Sequence, residues 1–149
     1  YFIEQLKIAR EVELPVLLHI RRAIDQVLKC LRRIPVRGGI AHAFNGSRQQ
    51  ANEFIKLGFK LGFGGAMTYP RATRIRQLAT TLPLESIVLE TDAPDIPPIW
   101  LTGLPNPRNS PQQLLPIAQT LAELRSLNVA QIIETTGANA HAVIQGLDR

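Results

Sequence analysis

Residues 15–44 run PVLLHIRRAIDQVLKCLRRIPVRGGIAHAF, and the architecture of the whole chain follows from them. PVLLHI is a short apolar run after a proline, the pattern of a buried strand. RAIDQVLKCLRRI has helical periodicity, and GGIAHAF is a second apolar strand. A strand, a helix and a strand in that order form a right-handed βαβ unit whose strands lie parallel in one sheet. The pattern repeats downstream. SRQQANEFIKLG is a helix closed by Gly58, KLGFGGAM a third strand, PRATRIRQLATTL a helix with Pro70 near its start, and SIVLET a fourth strand. Upstream, Phe2, Ile3, Leu6, Ile8, Ala9 and Val12 fit a helix that Pro15 stops.

After the fourth strand comes a long proline-rich loop, DAPDIPPIWLTGLPNPRNSP, then the helical patterns PQQLLPIAQTLAELRSL, NVAQIIETT and NAHAVIQGL. A loop of that length in a compact unit usually carries function. Apolar strands alternating with helices imply an α/β fold with a parallel sheet, either an open doubly wound sheet or part of a (β/α)₈ barrel. Four strands with their helices are half a barrel, and a complete one takes about 250 residues. The expectation is therefore a TIM-type barrel of which residues 1–149 are the C-terminal half, strands five to eight, in one domain. The first four units are expected to be missing from this sequence, which opens without Met on an amphipathic helix.

Composition sets further bounds. The 149 residues are 45% hydrophobic and 19% charged, enough to bury a core, and a net charge of +5 suits a phosphate-bearing partner without demonstrating one. A single cysteine, Cys30, excludes an intrachain disulfide, argues against a thiolate zinc site and makes a reducing cytoplasm the default location. No apolar run approaches a membrane span, and no signal-peptide pattern is present.

The ionisable residues at the strand ends are the candidate site. His19 ends the first strand, His42 the second and Asp92 the fourth. In parallel barrels the C-terminal end of the sheet is where metal-binding and catalytic side chains meet. Alone, each histidine reads as a hydrogen-bonded, half-buried imidazole and Asp92 as a loop cap; three at equivalent strand ends point to a shared centre. Imidazoles with a carboxylate suit Zn²⁺ or Mn²⁺, with Mg²⁺ less natural.

LPVLLHIR, GGIAHAFNGS, LGFKLGFGG, PLESIVLETDAPDIP, RNSP and ETTGANAHAVI occur in the order and spacing of the TatD family of metal-dependent deoxyribonucleases, which the chain resembles over its whole length. The wording LGFGGAMTYPRA points to one bacterial branch of it. The resemblance implies an amidohydrolase-like barrel that uses one or two divalent ions (Zn, Mn or Mg), with DNA as substrate. It makes His19 and His42 metal ligands after the fifth and sixth strands. Asp92, after the eighth, becomes both a metal ligand and the group that orients or deprotonates the attacking water. The family's N-terminal H-x-H pair and bridging Glu are not in this sequence, so the fragment alone is expected to be inactive.

Lesser roles follow from the same resemblance. Arg21 matches the family's H-x-R, as a phosphate clamp or as a solvated residue starting a helix. Arg108 and Asn109 of RNSP are expected to bind substrate from the loop over the site. Glu90, two residues before Asp92 and so on the same side of the strand, is expected to orient a histidine ligand. Trp100 either stacks on a base or shields the core. Asn45, Gly46 and Ser47 form a turn that caps the next helix, helix capping accounts for Thr136 and Asn139, and His141 has no role. The chain departs from the family at Ile20 and Arg22, where many members carry a polar residue and an acid, and at Ala43 and Asn45. The changes at Ile20 and Arg22 bear on substrate choice, those at Ala43 and Asn45 are conservative, and none removes a ligand. Three functions stand: a metal-dependent phosphodiesterase acting on DNA, a barrel hydrolase of another ester or amide, and a catalytically silent fragment with a binding role.

Overall fold

The structure, a computed structural model, describes residues 1–105 and 107–144. Strands β1 (Val16–His19), β2 (Gly39–His42), β3 (Phe59–Phe63) and β4 (Ile87–Leu89) form one parallel sheet in the order β1-β2-β3-β4. Helix α1 (Phe2–Glu11) precedes β1, and α2 (Ile24–Arg33), α3 (Arg48–Lys56) and α4 (Thr73–Thr81) make the crossovers. Helices α5 (Leu114–Arg125) and α6 (Val129–Ile144) follow the long loop. Every crossover steps to the next strand in the same direction. No switch point of the doubly wound kind occurs among these four strands, and the one-directional winding is the one a barrel wall requires.

The strand period of two divides the residues between faces. Leu18, Ala41, Leu61 and Ile87 lie in register across the sheet and are buried against the helices. They meet Leu28 and Leu31 of α2, Phe54 of α3, Leu78 of α4, Leu121 of α5 and Ile132 of α6 in one core. The opposite face carries Leu17, Ile40 and Lys60 in one row and His19 beside His42 in the next. Leu17 is 70% exposed there. A groove of about 690 Å³ runs along the β1 edge, lined by Tyr1, Leu17, His19, Val27 and Cys30 among others.

Three expected boundaries change. KLGFGGAM leaves the ladder at Phe63 and enters a 3₁₀ turn over Gly65–Thr68, where Gly64 and Gly65 lie too close to the backbone of Glu90 and of Ile96–Pro98 for any side chain. SIVLET ends as a strand at Leu89. NVAQIIETT and NAHAVIQGL are one continuous helix, and residues 145–147 of that pattern lie outside the described residues. Thr136 and Asn139 are mid-helix and buried rather than caps. Thr136 Oγ1 donates back to Ile132 O, and Asn139 Nδ2 donates to Leu84 O at 2.8 Å and Ile87 O at 2.7 Å. The polar side chain that looks like a terminator instead fastens α6 to the outer edge of β4.

The long loop is built rather than open. Tyr69 Oη donates to Pro97 O, Ile99 N–H to Thr68 Oγ1, and the Trp100 indole to Gln113 Oε1. Ser47 caps α3 with a reciprocal bond to Gln50, as its position after the turn implies. Among the described residues no helix is long and apolar enough to cross a membrane.

Candidate active site

Register places His19 directly opposite His42 at the C-terminal ends of β1 and β2. The rings stack at 5.0 Å, and His19 Nδ1 lies 2.8 Å from His42 Nε2, a hydrogen bond. The other nitrogen of His42, Nδ1, faces two carboxylates, Glu90 Oε1 and Asp92 Oδ1, each at 3.6 Å. A proton on Nδ1 is favoured by both negative charges, which leaves Nε2 as the acceptor of the His19 proton.

Glu90 reaches this place from the far side of the sheet. Its backbone N–H still bonds Phe63 O, just beyond the end of β4. From there the side chain turns back across β3, where a Cβ on Gly62 would overlap its carboxylate, and Oε1 accepts the Ala43 N–H at 2.5 Å after β2. Burial pushes the Glu90 carboxyl above its usual range, while the Ala43 N–H and His42 pull the other way.

Asp92 arrives by a different route. The strand has ended, and Asp92 sits at φ 54°, as Ala43 sits at φ 47° across the rim. Left-handed backbone at non-glycine residues costs roughly 1–3 kcal/mol each and persists only where the surroundings impose it. Glu90 and Asp92 do share a side, both facing His42 Nδ1, but Asp92 reaches it through a left-handed turn rather than by strand alternation.

Asn109 imposes that turn. It is 4% exposed, and its Nδ2 donates to Thr91 O at 2.8 Å and Asp95 O at 2.5 Å, on both sides of Asp92. Its Nδ2 is spent on the loop backbone, while its Oδ1 is buried without a hydrogen-bond partner among the described residues. Arg21 and Arg108 are exposed and join no hydrogen bond or ion pair among the described residues. His141 is exposed on α6.

His19, His42 and Asp92 thus gather at one rim with Glu90. Two imidazoles and a carboxylate are chemically suited to a borderline divalent cation. Among the described residues, no three or more His, Cys, Asp or Glu side chains are set to hold an ion by themselves. The donors fit as part of a ligand set. A cavity of about 100 Å³ opens beside them, with Glu90 and Asp92 at one side and Asn45 in its wall. Sequence reasoning missed Gly62 and the Ala43 N–H. The available signal was Gly62 within the strand pattern KLGF, since glycine inside a strand marks close approach of another group.

The sequence matches the family described as TatD related DNase over residues 1–145. The chain belongs to the TatD family. Among TatD relatives it is 43% identical over 141 residues to the uncharacterized metal-dependent hydrolase YjjV of Escherichia coli K12, covering 94% of this chain and 53% of that protein. It is 33% identical over 144 residues to the 3'-5' ssDNA/RNA exonuclease TatD of the same organism, covering 93% and 55%. The crystal structure of the TatD homolog YjjV superposes with a TM-score of 0.86 at 40% identity, over 95% of this chain and 54% of that one. The chain spans about half the length of the TatD relatives it matches.

Proposed function

We propose that this chain supplies the C-terminal half, strands five to eight, of a TatD barrel that hydrolyses phosphodiester bonds in DNA with a divalent metal. In this reading residues 1–149 are part of a single domain. The observation that carries it is the convergence of His19, His42 and Asp92 on one rim, within 2.8–3.6 Å of one another through His42. The naming of one relative as an exonuclease on single-stranded DNA and RNA supports the substrate class.

His19, His42 and Asp92 would hold the ion. When bound, a Zn²⁺, Mn²⁺ or Mg²⁺ ion supplies a nucleophilic water near neutral pH and a counter-charge for the phosphate. Asp92, with its carboxylate at the mouth, orients the water and accepts its proton. Glu90 fixes the His42 ring by holding its Nδ1 toward the carboxylates. Arg21 and Arg108, exposed and uncommitted, stand ready for phosphates of the bound strand.

The test is degradation of a single-stranded oligonucleotide by the whole gene product with Mn²⁺, beside an Asp92→Asn variant. The variant is expected to lose about 10²- to 10⁴-fold in rate, the usual contribution of a positioned base. Equal rates would overturn the assignment of Asp92. Hydrolysis of a neutral ester but not of DNA would move the protein to another substrate class.

A further inference from the structure

One arginine is docked at the site without a counter-ion. Arg74, in the first turn of α4, donates from one guanidinium nitrogen to Asn45 Oδ1 at 2.7 Å and more weakly to Asn45 O at 3.5 Å. Asn45 lines the cavity that ends on Glu90 and Asp92, and Ile75, the residue after Arg74, lines it too. Arg74 is exposed and does not itself line the cavity; its guanidinium is tied to the cavity wall through Asn45.

Other arginines have partners, several of them neutral, that lie away from the cavity, such as Thr81 Oγ1 for Arg48. Arg32 is paired with Glu53, Arg76 donates to Met67 O, and Arg125 donates to Ala79 O and Leu82 O. Arg74 has only a neutral amide as partner. Its charge is uncompensated, and its remaining N–H donors are uncommitted among the described residues. The amide holds one corner of the planar fork, which orients the free N–H groups without neutralising them. Guanidinium is the side chain best matched to a tetrahedral oxyanion, because two parallel N–H groups meet two oxygens. A cavity of about 100 Å³ has room for one such group.

We propose that Arg74, oriented by Asn45, forms an anion subsite that receives a phosphate of the substrate adjacent to the bond being cleaved. The adjacency rests on the phosphodiesterase reading above; the subsite itself requires only a phosphate group. Arg74 acts by positioning substrate.

The experiment titrates the chain with inorganic phosphate and, separately, with an octathymidylate, following the side-chain N–H resonances of Arg74 and Asn45. It is repeated over a salt series with Arg74→Gln, Arg74→Lys and Asn45→Ala, each checked for an unchanged thermal transition. Phosphate should shift both resonances. Arg74→Gln should weaken oligonucleotide binding about tenfold and flatten the plot of log K against log salt by about 0.7, one phosphate contact on a single strand. Arg74→Lys should keep the slope, and Asn45→Ala should lose part of the affinity. An Arg74→Gln chain that binds as the wild type does, with the same slope, would overturn the subsite and leave the nuclease reading standing. Phosphate that shifts Arg74 while no oligonucleotide binds would keep the subsite and remove the nucleic-acid substrate. If neither probe moves the Arg74 resonance, the subsite is wrong.

Discussion

The outer strands β1 and β4 border the same sheet but are held by different physics. On the β1 side, Leu17 faces solvent, an apolar groove runs along the edge, and the helices are joined through exposed polar ties such as Arg32 to Glu53 and Gln50 to Asp25. On the β4 side the fastenings are buried or half-buried amides and carboxylates: Asn139 on Leu84 O and Ile87 O, Asn109 on the Thr91 and Asp95 carbonyls, and Glu90 on Ala43. Exposed pairs contribute little because water competes for each partner, whereas a buried group left without its partner is costly. The side that carries the two carboxylates of the site is therefore the rigid one, and the side that carries His19 is the adaptable one.

Substitutions on each side test this contrast. The largest effect should come from Gly62→Ala, because the new methyl group occupies the place of the Glu90 carboxylate. A loss of about 3 kcal/mol, or roughly 6–12 °C in Tm, is expected by calorimetry, together with a shifted His42 ring resonance. A Tm within a degree of wild type would show that Glu90 is not fixed where it lies.

Asn139→Ala should follow, at about 2 kcal/mol by urea denaturation, since it leaves two carbonyls of the β4 side without a donor. Leu17→Thr on the opposite edge should stay within about 0.5 kcal/mol. If it costs as much as Asn139→Ala, the distinction between the edges fails.

The smallest effect concerns charge. Hydrogen bonds from Arg32 and Lys56 hold the exposed Glu53 carboxyl below its ordinary value of 4.5. A depressed acid contributes stability at pH above its unfolded value, and that contribution is lost as pH falls through the lowered folded value. Arg32→Gln should move the Glu53 midpoint, followed by NMR, back toward 4.5 with little change in the thermal transition at neutral pH.

Sequence reasoning reached the parts of this molecule that depend on local periodicity. The four strands and the intervening helices follow from short apolar runs alternating with helical periodicity, and the shared rim of His19 and His42 from their equal placement at strand ends. It did not reach features whose partners are distant in the chain. Ala43 and Glu90 are 47 residues apart, and Asn139 lies 52 residues from Ile87, so no local pattern announces either bond. Asn109 stood out in RNSP as a polar loop residue, and its type alone does not distinguish a substrate contact from a backbone brace. The end of β4 was misjudged because LET continues an extended pattern that the left-handed Asp92 interrupts.

Glu90 begins beyond β4, passes over β3 at Gly62 and ends on the chain leaving β2. One side chain thus stitches three of the four strands together at the rim where the chemistry is assigned. The residues after β1 and the exposed arginines can drift and retune what the protein accepts. A side chain at Gly62 is incompatible with the stitch as long as Glu90 keeps its place. A library that randomises Ile20, Arg22 and Arg108 should retain far more folded members than one of equal size at the stitch.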